Sequence, residues 1–184
     1  MKNGVKKIIC IVLFIFCIPG NSFAKIISDD SGSITFETSN QWRLTSYGED
    51  PLTYELISIT LDKNTGIKVS QSKYYSKYKN LMQASEAEKS ALRDSMIRYY
   101  LNYFKSKGYN CTVDKAEYFD DSIMLRLIVK NNNLTGIILT SAYIKDYCMY
   151  SISAFCVDET IKETAKVLDT LKVDGVDFEK WIVN

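Results

Sequence analysis

The sequence predicts an α+β domain: an antiparallel sheet covered by helices on both faces, an α/β/α sandwich. Three observations carry this. Tyr54 to Leu61 and Ile67 to Lys73 alternate with period two around the turn Asp62-Lys63-Asn64-Thr65-Gly66, as paired strands do. Leu92, Met96, Tyr99, Tyr100, Tyr103 and Phe104 then recur at helical spacing. Four more strand-like runs follow, and some of them are apolar on both faces. An antiparallel sheet of that kind needs cover on both sides.

The chain opens with Lys2, Lys6 and Lys7, an apolar run from Ile8 to Ile18, the breaker Pro19-Gly20, and Ser22-Phe23-Ala24. That order predicts a secretory signal peptide over residues 1–24. Its apolar run is too short for a bilayer-spanning helix of roughly 20 residues. Residues 25–184 then form a single domain, periplasmic or secreted, with no transmembrane span left after cleavage. Removing three leader lysines leaves 20 basic against 22 acidic residues, a net charge of −2. That balance argues against nucleic acid as a partner, since duplex binders present a strongly basic face.

Ser28 to Ser33 is polar and reads as frayed. Ile34 to Thr38 alternates as a strand and leads through Ser39-Asn40 to Trp42-Arg43-Leu44, and Ser46 to Pro51 reads as a loop. Ser85-Glu86-Ala87-Glu88 is a capping box that opens a helix from Glu86 to Lys107, closed by Gly108. The width of its apolar arc predicts a helix lying flat on the sheet, with Tyr99, Tyr100 and Tyr103 mainly in the core. The next strands are Cys111–Phe119, Ile123–Lys130, Gly136–Ile144 and Tyr147–Cys156. Asp120-Asp121, Asn131 to Asn133 and Lys145-Asp146 are the turns between them. Asp158 is the expected cap of a last helix with the inner stripe Ile161, Ala165, Leu168 and Leu171.

The order of elements resembles the fold shared by PsbP of the oxygen-evolving complex and bacterial DcrB-type proteins. The supporting residues are the strand with Phe36 leading to Trp42, the hairpin ending in Gly66-Ile67-Lys68-Val69, and the closing Val167-Leu168-Asp169-Thr170-Leu171. The resemblance spans most of residues 34 to 173. It implies an accessory or assembly protein without a catalytic centre, and it carries over no site residue.

The chain has no histidine. Ser-His and Cys-His nucleophilic pairs, histidine zinc sites and the usual general base near neutral pH are thereby removed. No Cys-x-x-Cys pair and no phosphate-binding glycine pattern is present. We therefore expect no enzyme and no cofactor. The turn Asp62 to Gly66 starts like a calcium loop, but Lys73 stands where a bidentate Glu is needed; it reads as a hairpin turn, with no metal site. Cys148 and Cys156 are roughly 26 Å apart along one strand and cannot bridge. A Cys111–Cys156 bridge would need a sheet order other than a simple meander. Three buried free thiols are the favoured expectation, one bridge the alternative.

Two features point to contact with a partner. Lys73, Tyr74, Tyr75, Lys77, Tyr78 and Lys79 interleave tyrosines and lysines between the hairpin and the first helix, and tyrosine is enriched at interfaces. A strand end whose tyrosines pack under the helix is the alternative for this segment. Arg126 lies on a strand that reads as half or fully buried, as a sheet-rim arginine with its stem on apolar surface or as an anchor for a ligand or partner. The expected function is a secreted or periplasmic, non-enzymatic protein-binding accessory or inhibitor, for example one neutralising a toxin or envelope hydrolase. The alternative is a small-ligand or lipid-binding module with a pocket lined by Tyr100, Phe104 and Met124.

Overall fold

The computed structural model describes residues 25–46, 51–119, 121–131, 134–173 and 176–177. The expected leader, Asp120, Asn132 and Asn133 lie outside the described residues. Eleven strands and two helices follow one another among those described: β1 (Lys25–Ser28), β2 (Ile34–Thr38), β3 (Arg43–Leu44), β4 (Thr53–Asp62), β5 (Thr65–Tyr75), α1 (Glu86–Ser106), β6 (Asn110–Tyr118), β7 (Ser122–Lys130), β8 (Thr135–Lys145), β9 (Cys148–Cys156), α2 (Ile161–Leu168), β10 (Lys172–Val173) and β11 (Val176–Asp177). A short 3₁₀ turn, Leu81–Gln83, precedes α1.

The large sheet has seven strands in the order β3-β4-β5-β9-β8-β7-β6, all antiparallel. β6 to β9 form the expected meander, and β9 then pairs with β5, joining the meander to the first hairpin. A second sheet, β1-β2-β10-β11, ties the two ends of the described chain together through Lys172 opposite Thr35 and Val173 opposite Ile34. The fold is thus α+β, as expected. Of the segment Ser28 to Ser33, read as frayed, Ser28 ends β1 opposite Thr35 and residues 29–33 form a turn closed by the Gly32 amide on the Asp29 carbonyl; β1 itself, Lys25–Ser28, was not expected.

Apolar side chains gather in separate clusters. Phe36, Trp42, Ile59, Ile67, Ile152 and Leu168 belong to the largest. Leu125, Leu127, Val129 and Ile138 form another, against Met96, Ile97, Tyr100 and Phe104 of α1. The neighbours Ile138 and Leu139 fall in different clusters because successive strand residues point to opposite faces.

α1 starts at the predicted capping box. Ser85 Oγ accepts from the Glu88 amide at 3.4 Å and the Glu88 carboxylate accepts from the Ser85 amide at 2.9 Å. It ends at Gly108, whose φ of +79° suits a residue without Cβ, with its N–H donating to the Lys105 carbonyl and that of Tyr109 to Phe104. No residue of α1 is fully buried. Tyr99 and Tyr103 are 50 % and 46 % exposed, which corrects their assignment to the core. One turn apart, they stack on each other on the outer side, with ring centroids 6.2 Å apart, while Met96, Tyr100 and Phe104 face the sheet.

Asp158 does not cap α2. The N-cap is Thr160, whose hydroxyl bonds back to Val157 and lies 2.8 Å from Thr65 Oγ1. Cys111, Cys148 and Cys156, the cysteines among the described residues, are free, and the meander sets Cys111 and Cys156 three strands apart, about 14 Å at ~4.8 Å per step. Only Cys156 is buried; Cys111 and Cys148 are half-buried, against the expectation of three buried thiols.

Candidate functional site

The tyrosine–lysine segment begins where β5 leaves its register with β9. The pairing is irregular between Gln71 and Tyr75, and Tyr75 comes to lie opposite Cys148. From there the backbone wraps the end of the β8–β9 hairpin. The Ser76 amide donates to the Tyr147 carbonyl at 2.7 Å, and Asn80 bridges to Lys145. The Ser72 and Ser76 hydroxyls accept from the amides of Tyr74 and Tyr78, each at 3.0 Å, so the turns close on themselves.

This path leaves Tyr74 and Tyr75 68 % and 82 % exposed, while Tyr78 is half-buried against Leu81, Ile123 and Ile144. One tyrosine of the segment thus packs under the helix and two face solvent. Between them and the start of α1 lies a cavity of about 260 Å³, with Leu81, Leu92, Ile144 and Met149 among its apolar walls and Glu88 at its polar side.

Among the described residues, Glu88 is the one charged residue lining the cavity, and it is paired with a lysine of the segment. Lys77 Nζ is 2.6 Å from Glu88 Oε1 and 4.7 Å from the centre of the Tyr78 ring. The Glu88 hydrogen bond, followed by that of Tyr78, raises the Lys77 pKa. Glu88 is held well below the usual carboxylate range by Lys77, then Tyr78, then the Ser85 amide and hydroxyl. Lys79 Nζ lies 3.8 Å from Asp146, and Lys73 Nζ sits 5.1 Å from the centre of the exposed Tyr54 ring.

Arg126 is not part of this cluster. It lies opposite Leu139 on β8 and shares that residue's face, whereas the cavity borders the face of Ile123. Its Nε is 3.1 Å from Asp114 Oδ2. Nor do Tyr100, Phe104 and Met124 line one pocket. Tyr100 and Phe104 pack on the Leu125 cluster, and Met124 points to the other face of β7.

Tyr147 was missed from sequence. The hairpin turn is Asp146-Tyr147, one residue later than predicted, with φ of +49° and +67°. Two-residue hairpin loops need positive φ at both positions, which normally selects Asn or Asp followed by Gly. A tyrosine there hides the turn from sequence reading; Tyr147 is 49 % exposed, and its backbone is hydrogen-bonded to the Ser76 amide and the Lys79 carbonyl of the segment.

Among the described residues, no group of acidic or cysteine side chains is placed to hold a metal ion, and no helix is long and apolar enough to cross a membrane.

An α+β domain on a seven-stranded antiparallel sheet, with a long helix between hairpin and meander, is a PsbP-like fold. The chain is similar to the solution structure of cyanobacterial PsbP (CyanoP) from Synechocystis sp. PCC 6803, with a TM-score of 0.60 and 13% identity, over 85% of this chain and 95% of that one. It also matches a crystal structure from Bacteroides thetaiotaomicron VPI-5482 at a TM-score of 0.44 and 11% identity, over 82% of this chain and 48% of that one. No protein-family model and no curated protein matches the chain.

Proposed function

We propose that this is a secreted or periplasmic, non-enzymatic binding protein of accessory or inhibitor type, which docks another protein through the ridge of Tyr74, Tyr75 and Tyr147. The observation that carries this is the pair of exposed tyrosines standing over an apolar cavity on a backbone tied to the β8–β9 turn. Rigid aromatic side chains around a pocket are the usual anchors of protein interfaces. The absence of histidine supports a binding role over catalysis. The domain is read as three layers, with a helix on each face of the large sheet. The separation of the Leu139 cluster beside α2 from the Ile138 cluster beside α1 supports that layering.

The cavity also supports a second reading, a small-ligand or lipid-binding module, at this place rather than between Tyr100 and Met124.

The test is affinity capture from the envelope of the source cell, comparing the protein with its Tyr74→Ser/Tyr75→Ser/Tyr147→Ser variant. All three side chains are exposed, so the variant should fold. We expect a stoichiometric protein partner with the parent chain and at least tenfold less with the variant. Equal capture by both would defeat the ridge assignment. A small adduct in native mass spectra, with no protein partner, would favour the second reading.

A further inference from the structure

The cavity beside the tyrosine–lysine segment restricts its contents by size, by charge and by hydrogen bonding. An apolar cavity of roughly 150 Å³ admits one benzene ring, and pockets for drug-sized ligands run to roughly 300–1,000 Å³. This one, at about 260 Å³, falls between the two. It has room for one ring with a short substituent and too little for a long acyl chain.

Its lining offers no charge to a ligand. Glu88 is the one charged residue there among those described, and both of its carboxylate oxygens are engaged. Oε1 accepts from Lys77 Nζ at 2.6 Å, and Oε2 accepts from the Ser85 amide at 2.9 Å and the Ser85 hydroxyl at 2.7 Å. A charged ligand would give up its hydration and meet no free countercharge.

The remaining lining suits an aromatic ring that carries an acceptor. Leu92, Ile144 and Met149 stand on one side, and Tyr74 and Tyr75 on the side of the segment. Methionine sulfur and tyrosine rings both gain from contact with another aromatic ring. Ser72 and Ser76 line the cavity too, and their hydroxyls accept from the amides of Tyr74 and Tyr78 at 3.0 Å. A serine hydroxyl that accepts still has one hydrogen to donate. The Ser76–Tyr147 hydrogen bond and the Lys77–Glu88 pair hold the segment to the hairpin end and to the start of α1, so these groups are in place before a ligand arrives.

We propose that this cavity binds a free, uncharged small molecule built on one aromatic ring and bearing a hydrogen-bond acceptor, an assignment that rests on the small-ligand reading given above. The ring packs on Leu92, Ile144 and Met149, Tyr74 and Tyr75 border it on the open side, and Ser72 or Ser76 donates to the acceptor.

The probe is acetophenone, titrated calorimetrically into protein recovered from cells expressing the full chain. We expect saturable binding at one site with a dissociation constant below about 1 mM. Ethylbenzene, which lacks the acceptor, should bind severalfold more weakly. Benzoate and benzylammonium should each bind at least tenfold more weakly. Ala84→Leu, which fills the cavity from its wall, should abolish binding, and the surface variant Tyr75→Ser should weaken it severalfold, both with unchanged circular dichroism. Acetophenone bound equally by parent and Ala84→Leu overturns the site, and benzoate or benzylammonium bound as well as acetophenone overturns the chemistry.

Dodecanoate separates this assignment from the reading beneath it. Dodecanoate bound by the parent and lost in Ala84→Leu, with no acetophenone bound, sinks the one-ring ligand and leaves the small-ligand or lipid reading standing. No binding of any of these probes sinks both.

Discussion

Asp114 is the residue that bulges from β6, and its carboxylate lies 3.1 Å from the Nε of Arg126 on the neighbouring strand. Val113 pairs with Leu127 and Lys115 with Arg126, so Asp114 has no residue of its own to face. A bulge re-aims the extra side chain and interrupts the ladder. Here it brings a carboxylate to an arginine in the second strand from the sheet edge. The same bulge breaks the regular edge of β6, a form of protection against edge-to-edge pairing.

Asp114→Ala should therefore destabilise the domain by about 1–2 kcal/mol, because Arg126 is only 17 % exposed and loses a charged partner. The double change Asp114→Ala/Arg126→Met should recover part of that loss, since the largely buried cation goes with its carboxylate. Urea denaturation reads both: the midpoint should fall for the single variant and return part of the way for the double, with similar slopes. An unchanged midpoint for Asp114→Ala would show the pair to be of no account for stability.

Tyr100 makes a second link that sequence periodicity alone does not reveal. Its hydroxyl lies 2.9 Å from Thr140 Oγ1 and 2.8 Å from Ser153 Oγ, which are 2.9 Å from each other. Three hydroxyls in a closed triangle can each donate once and accept once. Tyr100→Phe keeps the ring on the Leu125 cluster and leaves the Thr140–Ser153 bond in place. We expect a loss of about 1 kcal/mol, read as a lowered melting temperature. Tyr99→Phe on the outer side should leave stability within about 0.5 kcal/mol of the parent.

The strands and the first helix were legible because their signals are local. Alternation marked β4, β5 and the meander; Ser85, Glu88 and Gly108 marked the ends of α1. What escaped depends on residues far apart in the chain. β1 becomes a strand through its pairing with β2, and Lys172 finds Thr35 only once both chain ends are in place. β5 and β9 are neighbours in the sheet although α1 and three strands separate them in sequence. Helical periodicity named Tyr99, Tyr100 and Tyr103 together, and only the placement of the helix separates the inward ring from the outward pair. At the candidate site, composition exposed the tyrosine–lysine segment. Arg126 was singled out for lying on a buried strand, and only its pairing with β8 puts it on the face away from the cavity; Tyr147 was hidden by a turn position usually held by glycine.

The start of α1 should respond to both mutation and acid. Ser85→Ala removes one half of the capping box and should cost about 1 kcal/mol. Glu88 has its folded pKa depressed by Lys77 first, then by Tyr78 and Ser85. A depressed carboxylate contributes stability above its unfolded pKa of about 4.3 and loses it as pH falls through the folded value. Unfolding free energy should thus decline below about pH 5, and Glu88→Gln should flatten that decline. Lys77 has the opposite sign: its contribution is complete below about pH 10.4 and disappears only above that. The pair is intact at neutral pH, and because it is exposed its effect should shrink with added salt. A Glu88→Gln variant with the parent's acid profile would count against this.

The three thiols should differ in reactivity. Burial pushes Cys156 up to about 11, and burial also raises Cys111. The thiolate is the reactive form, and Cys156 is fully buried as well. In the native protein without reductant, a maleimide should label Cys148 first, Cys111 more slowly and Cys156 only after denaturant is added. If the proposed leader has been removed, denatured protein should take up three labels, since Cys111, Cys148 and Cys156 are free. Mass spectrometry counts them; a count of one would mean that a bridge had formed.

Tyr147 offers a test of whether local strain is retained for binding. Its φ of +67° lies in the left-handed region, which costs an L-residue with a Cβ roughly 1–2 kcal/mol relative to its usual conformations. Glycine adopts that region without penalty, and its position as the second residue of the two-residue turn is where glycine is preferred. Glycine also gains freedom in the unfolded chain, which offsets part of the relief. Tyr147→Gly should accordingly raise stability by up to about 1 kcal/mol while lowering affinity for the ridge's partner. Tyr147→Ala keeps the strain and removes the ring, so it should lower affinity with no gain in stability. Thermal melts and binding titrations of the two variants separate the effects. If Tyr147→Gly gained stability and bound as well as the parent, the ring would have no part in the site, and the strained turn would be an accident of sequence.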